Sequence, residues 1–393
     1  MQLRTVVGDV NIQIYHGQDG KNGAWGCPIR EQWALTPHQQ MSHGLEEKLA
    51  FTATLAGSYE DASQLAEKWG SPVAASTIHQ LVQRLGQQAE EKTVQRLTEV
   101  PQEKQPLRAA AALAVIMSDG WMARFRGAGW GCEKTKKDRV EWHEIKTGVF
   151  YLQEQLVKNE SGRRTIADKA LVRWQGEPVE FGRRLNWEAV HRGLGRAKEI
   201  VGVADGGKWI WNLMEDRWPD AWQLLDFYHA SEHLNALALA YCGEESAGKE
   251  WSQARSHRLR HGKEKSVLAE IAGLKPPRGV RGELVRKAKN YFHGQAERMN
   301  YKTAAERGWP IGSGPVESAC RQSQCRFKRS GQFWTQAGFR HLSAIDEARR
   351  NGHWTELWTT ESSGAVIGCA PERRRCRLAF LRRCGKPRLN YSD

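Results

Sequence analysis

Three apolar runs in this chain each stop on an aspartate. Residues 109–117 lead into Ser118-Asp119-Gly120, residues 200–204 into Asp205-Gly206-Gly207, and residues 222–225 into Asp226. Short apolar runs closed by turn-forming residues read as buried strands. Residues 144–153 (EIKTGVFYLQ) add the β-branched and aromatic content of another strand. Residues 209–218 keep the spacing of a helix instead. Strands alternating with helices predict an α/β protein built on a sheet layer. In an open sheet, residues just past the strand carboxyl ends line the ligand crevice. Asp119 and Asp205 therefore stand where a ligand would bind.

The sequence around this layer divides by composition. Residues 1–40 read as a strand-and-loop segment, alternating over 10–14 and rich in Gly and polar residues over 16–26. Residues 41–97 read as a small helical domain, with segments at 45–56, 60–69 and 75–97 and a break at Trp69-Gly70-Ser71-Pro72. Ser76 and Thr77 stand where a hydroxyl can cap the third segment. Such a unit fits a helix-turn-helix that lays its last helix in a major groove, or a bundle used for packing. Residues 98–108, with Pro101 and Pro106, form a linker. The sheet layer spans 109–228 in its first part. A charged helical insertion follows at 229–308, and C-terminal helices at 309–358 complete the layer. The last of these parts opens at Gly314-Pro315, where proline suits the first helical position. The Arg- and Cys-rich tail at 359–393 is expected to be poorly ordered.

Charge narrows the partners. Lys and Arg number 59 against 45 Asp and Glu, a net charge of +14, which attracts polyanions and points to nucleic acid. The eight cysteines are scattered and include no C-x-x-C pair, which excludes a zinc ribbon and a small disulfide scaffold. Reduced thiols fit a cytoplasmic protein. The N-terminus has no apolar signal core and the chain has no run of about 18 apolar residues, so no membrane partner is expected.

A third carboxylate completes a chemical pattern. Glu317 lies in the first turn of the helix that follows the Gly-Pro break. Two aspartates at neighbouring strand ends and a glutamate from a helix against the sheet are hard oxygen ligands, suited to Mg²⁺ or Mn²⁺. Two such ions, roughly 3.5–4 Å apart, serve phosphoryl transfer by stabilising the attacking and leaving oxygens. Arg321, Gln324 and Lys328 share the face of Glu317 at helical spacing, and cations there would reach phosphates. Trp121, Phe125 and Trp130 interleave with Arg124 and Arg126 just after Asp119. Such a mixture can stack on unpaired bases and hold phosphates, and Trp121 and Trp130 are the best placed for DNA contact.

The segments VADGGKWIWN (203–212), PDA (219–221), LDFYHASEHL (225–234), WPIGSGPVESAC (309–320) and RFKRSGQFW (326–334) resemble bacterial insertion-sequence transposases of the ISKra type, in the Mutator-like group. The resemblance covers about 110–354. It implies a ribonuclease-H-like mixed sheet with an α-helical insertion, and a DDE triad of Asp119, Asp205 and Glu317. It implies two-metal DNA strand cleavage and strand transfer on the ends of the element and on target DNA, by a homo-oligomer in the bacterial nucleoid. It matches Asp226 and His229 to a D-x-x-H signature near the site and outside the triad, although Asp226 competes with Asp205 for the second catalytic position. Lys328 and Arg329 fall in the matched basic segment, as DNA contacts beside Arg321. Alternatives are a nuclease of the same fold that cuts without joining, and an inactive transposase-derived DNA-binding protein. A carboxylate-based glycosidase would fit the paired acids but not the charge.

Overall fold

The computed structural model describes residues 1–358, apart from 19–22, 24, 34, 36–38, 101–110, 132–138 and the side chain of residue 31. The tail at 359–393 and most of the expected linker at 98–108 lie outside the described residues. Five strands form one sheet: β1 (Ala111–Arg126), β2 (Val140–Leu152), β3 (Ala170–Trp174), β4 (Ala197–Ala204) and β5 (Trp222–Leu225). Their order across the sheet is β5-β4-β1-β2-β3. β4 pairs parallel with β1 and β5, while β2 pairs antiparallel with β1 and β3. β2 thus runs against the other four.

β1 does not stop where its apolar run stops. Its parallel partner β4 ends in register with Ser118, but β1 continues to Arg126 along β2. Past Ser118 the strand alternates, with Trp121, Ala123 and Phe125 buried and Met122 and Arg126 exposed. Alternation is what a ribbon covered on one face needs. Asp119, expected to close a strand, therefore sits inside one, at the step where β4 and β5 end and the sheet narrows from five strands to three. Trp334 covers the edge that β4 leaves open. Its N–H donates to Arg124 O at 3.0 Å, and Arg126 N–H donates to Trp334 O at 2.8 Å.

After a short helix at Pro28–Gln32, three longer helices precede the sheet: α1 (His43–Leu55), α2 (Tyr59–Lys68) and α3 (Ala75–Thr98). Ser42 and Ser58 cap the first two, accepting from Leu45 N and Asp61 N. α3 has no side-chain cap. It opens at Ala75, so Ser76 and Thr77, expected as caps, fall inside its first turn, past the position from which a hydroxyl caps. The apolar stripe of α3, including Ile78, Val82 and Leu85, is buried. At Gly86 the helix meets the backbone of His341 so closely that a Cβ would lie 2.5 Å from its Cα. The helical unit and the sheet therefore share one apolar core.

Helices cover both faces of the sheet. α4 (Pro178–His191) packs on β2 and β3, and α5 (Lys208–Arg217) packs on α4. Then come α6 (Phe227–Cys242), α7 (Glu245–Arg260), α8 (Glu264–Gly273), α9 (Val280–Gly294) and α10 (Tyr301–Glu306), within the stretch 229–308 that reads as charged and helical. α11 (Gly314–Phe327) lies across β1 and β2, and α12 (Gln336–Asn351) across β3 and α3. No helix among the described residues is long and apolar enough to cross a membrane.

Candidate active site

The register puts two aspartates side by side. Ala204 pairs with Ser118 on one side and Leu225 on the other, so Asp205 and Asp226 follow adjacent strand ends, and Asp119 follows Ser118 on β1. α11 brings Glu317 to the same edge. The convergence is electrostatically visible at Asp119, whose carboxyl is held above its usual range. Burial is the largest cause, followed by the negative charge of Asp205, with Glu317 adding to it. Like charges gathered in a partly dry site disfavour ionisation of each member.

Each carboxylate is oriented by its own neighbours. Asp119 Oδ1 accepts from Gly120 N at 2.6 Å, and the Cys320 thiol, one helical turn past Glu317, hydrogen-bonds to Asp119. Burial and the charge of Asp119 push that thiol well above its ordinary range, so it stays protonated as a donor. Asp205 Oδ1 accepts from Gly207 N at 3.0 Å. The loop behind it is held from the helical insertion: Tyr291 Oη donates to Asp205 O at 3.1 Å, and Gln295 Nε2 to Gly206 O at 3.1 Å. Gly206 has φ +103°, a conformation that glycine adopts without strain. Glu317 is half-exposed. Its Oε1 lies 3.1 Å from the Ser313 hydroxyl and its Oε2 3.8 Å from Arg321 Nη2.

Asp226 has a different environment. It is fully buried, and Oδ1 accepts from Tyr228 N at 2.6 Å and His229 N at 2.9 Å, capping α6. Oδ2 accepts from Ser313 N at 2.5 Å and from the Ser313 hydroxyl. Asp226 thus ties the end of β5 to the turn that launches Glu317. His229 projects from the first turn of α6 and its Nε2 lies 3.2 Å from His233 Nε2. His233 stacks on Tyr291 with centroids 3.8 Å apart. Burial lowers the pKa of His233 and the proximity of His229 lowers it further, while the charges of Glu232 and Asp205 oppose this.

The expected DNA contacts divide. Arg321 is 81% exposed. Lys328 ends α11, with its ammonium 5.7 Å from the Trp142 ring, and Arg329 pairs with Asp61 at 3.0 Å. Trp130 is 40% exposed. Trp121 is not available to DNA: it is 5% exposed, packs near Phe339 and donates its indole N–H to Thr147 Oγ1 at 3.0 Å. Cys320, Ser313, Tyr291, Gln295 and His233 were not singled out by sequence. Only Cys320 carried a local signal, three residues after Glu317 on the same helical face.

The raised pKa of Asp119 has a consequence for stability. Folding favours the protonated form, so ionisation costs stability. That cost is absent below the unfolded-state pKa, grows as pH rises through the folded-state pKa, and persists above it. Asp119→Asn removes the charge. Without metal, it is expected to raise the thermal midpoint at pH 7, and by less at pH 4. Equal effects at both pH values would show that the charge is not strained.

No protein-family model matches the chain, and no curated protein matches it. Among solved structures, the Drosophila P element transposase strand transfer complex is similar with a TM-score of 0.37 and 11% identity, over 80% of this chain and 93% of that one. A likeness this remote fixes neither fold nor chemistry here.

Proposed function

We propose that this protein is a DNA transposase that cuts and joins strands with two divalent metal ions held by Asp119, Asp205 and Glu317. What supports this most is the convergence of three carboxylates from β1, the end of β4 and α11, close enough that Asp205 and Glu317 both act on the charge of Asp119. The strand order, with β2 reversed, supports a ribonuclease-H-like reading of the sheet. Repelling carboxylates whose one cationic neighbour, Arg321, stands 3.8 Å from Glu317 on the exposed side are a donor set suited to a hard cation. Among the described residues, no group of three His, Cys, Asp or Glu side chains stands close enough to hold a metal. Binding would therefore draw Glu317 inward, and its half-exposed side chain, resting on a serine hydroxyl and a long contact with Arg321, has room for that.

When bound, Mg²⁺ or Mn²⁺ would neutralise charge on the attacking and leaving oxygens of an in-line displacement at phosphorus. The chain supplies position and environment. The Cys320 thiol and Gly120 N–H fix the rotamer of Asp119, while Tyr291 and Gln295 hold the Asp205 loop. Arg321, on the exposed face of α11, and Lys328, just past its end, would hold phosphates of the DNA beside the site.

The deciding experiment is a Mn²⁺-dependent cleavage and strand-transfer assay on the ends of the element, wild type beside Asp205→Asn. Cleavage without joining would make the protein a nuclease, and binding without cleavage an inactive derivative. A readout independent of activity is thermal: at a Mn²⁺ concentration of 100 Kd, wild type is expected to gain about 2.7 kcal/mol and Asp205→Asn far less. DNA affinity is expected to fall by about 10³-fold or more between 50 and 200 mM salt if six or more phosphates are contacted. A flat salt response would count against phosphate contacts.

A further inference from the structure

A cleft of about 830 Å³ lies between α2 and the turn after α11, lined by Tyr59, Asp61, Arg126, Trp130, Arg329 and Phe333. It opens at the far end of α11 from Glu317, nine residues or about 14 Å along the helix. Its wall is a ladder of rings and cations. Trp130 and Phe333 lie 4.9 Å apart and tilted, the Arg126 guanidinium stands 5.2 Å from the Trp130 ring, and the Arg124 guanidinium 5.0 Å from the Phe333 ring. The ladder continues outward through Trp142, 54% exposed, with Arg124 5.9 Å and Lys328 5.7 Å from its ring. Across the cleft, a carboxylate already occupies a cation: Asp61 Oδ2 accepts from Arg329 Nη1 at 3.0 Å.

We infer that this cleft binds an unpaired nucleotide of single-stranded DNA, with its base against Trp130 and Phe333 and its phosphate on Arg329 in place of the Asp61 carboxylate. Trp130 is exposed and Phe333 half-buried; aromatic rings stack on any base, and adjacent cations hold the backbone. Arg329 marks the anion position because an anion sits there in the free protein. Buried Arg326 forms the floor, donating to Ala53 O and Gly57 O, with its guanidinium 5.4 Å from the Tyr59 ring, which adds fixed positive charge beneath the site. The inference rests on the reading of the protein as a DNA-cutting enzyme and adds what kind of DNA it takes. At 3.4 Å per stacked nucleotide, the cleft receives a base about four nucleotides from the scissile phosphate.

The test compares, by fluorescence anisotropy, full-length protein binding a blunt duplex and the same duplex with an unpaired tail of about four nucleotides. Wild type is expected to bind the tailed DNA more tightly. Trp130→Ala is expected to lose about tenfold on the tailed DNA and to leave blunt-duplex binding within about twofold, with Trp130→Phe recovering most of the loss. Asp61→Asn is expected to bind tailed DNA about two- to fivefold more tightly, since a competing surface ion pair is removed. Trp130 is exposed, so its replacement leaves the core intact, and Phe333→Ala gives a second probe of the same wall. Equal binding of tailed and blunt DNA, or a tail effect unchanged in both ring variants, overturns the cleft and leaves the functional reading standing. Failure of wild type to bind either DNA overturns both.

Discussion

Asp205→Asn is expected to lower metal-dependent strand cleavage by about 10³-fold or more while DNA affinity stays within a few-fold. Asparagine keeps the shape of the side chain, and its carbonyl oxygen can still accept from Gly207 N, so the loop keeps its form. It removes one of the three proposed anionic ligands, and a neutral amide oxygen cannot replace that charge against a hard cation. The proposed DNA contacts, Arg321 within α11 and Lys328 just past its end, are not touched by this change. Asp119→Asn and Glu317→Gln are expected to lose a similar amount. The three act as one unit, so the double variant Asp119→Asn/Asp205→Asn should be scarcely worse than either single one. Single-turnover cleavage of a labelled element end, with anisotropy on the same substrate, separates the two effects. Full cleavage by any one variant would remove that residue from the triad.

The meeting of these three carboxylates at one sheet edge could be read in the sequence because each carries a local mark. Asp119 and Asp205 each follow an apolar run and precede glycine, and Glu317 opens a helix after Gly314-Pro315. What could not be read depends on contacts made far along the chain. β3 was not anticipated, because Arg173, its fourth residue of five, reads as a surface residue. In the folded protein Arg173 is buried and pairs with Asp346 at 2.6 Å, and its charge helps hold the Asp346 carboxyl down at about 2. The extension of β1 past Asp119 was missed because a half-buried ribbon looks polar to a search for apolar runs. Trp121 followed from the same error: nearness to Asp119 in sequence suggested a shared site, but its place on the strand sends it under α12. Tyr291 and Gln295 reach the Asp205 loop from 86 and 89 residues away, with no spacing in the sequence to announce them.

Asp226→Ala is expected to cost about 4 kcal/mol of stability, which makes it the strongest structural test of the site. The side chain caps α6 through two N–H groups, a contribution of about 1 kcal/mol. It also accepts from Ser313 N and the Ser313 hydroxyl across the strand edge. Alanine leaves those buried donors unmet, at about 1–3 kcal/mol each. The thermal midpoint should fall by roughly 5 °C. Asp226→Asn should also destabilise, because an amide that keeps its oxygen toward Tyr228 and His229 turns its NH₂ toward the Ser313 N–H, donor against donor. Ser313→Ala, which removes only the hydroxyl, should cost about 1 kcal/mol. These values separate the two candidates for the second carboxylate. Asp205 faces the shared site with one oxygen engaged by its own loop, whereas both oxygens of Asp226 are taken by backbone and serine donors. A ligand to a catalytic ion can be replaced by its amide with little loss of fold, while a buried brace cannot. If Asp226→Asn kept the wild-type midpoint and lost cleavage while Asp205→Asn cleaved normally, Asp226 would take the second place in the triad.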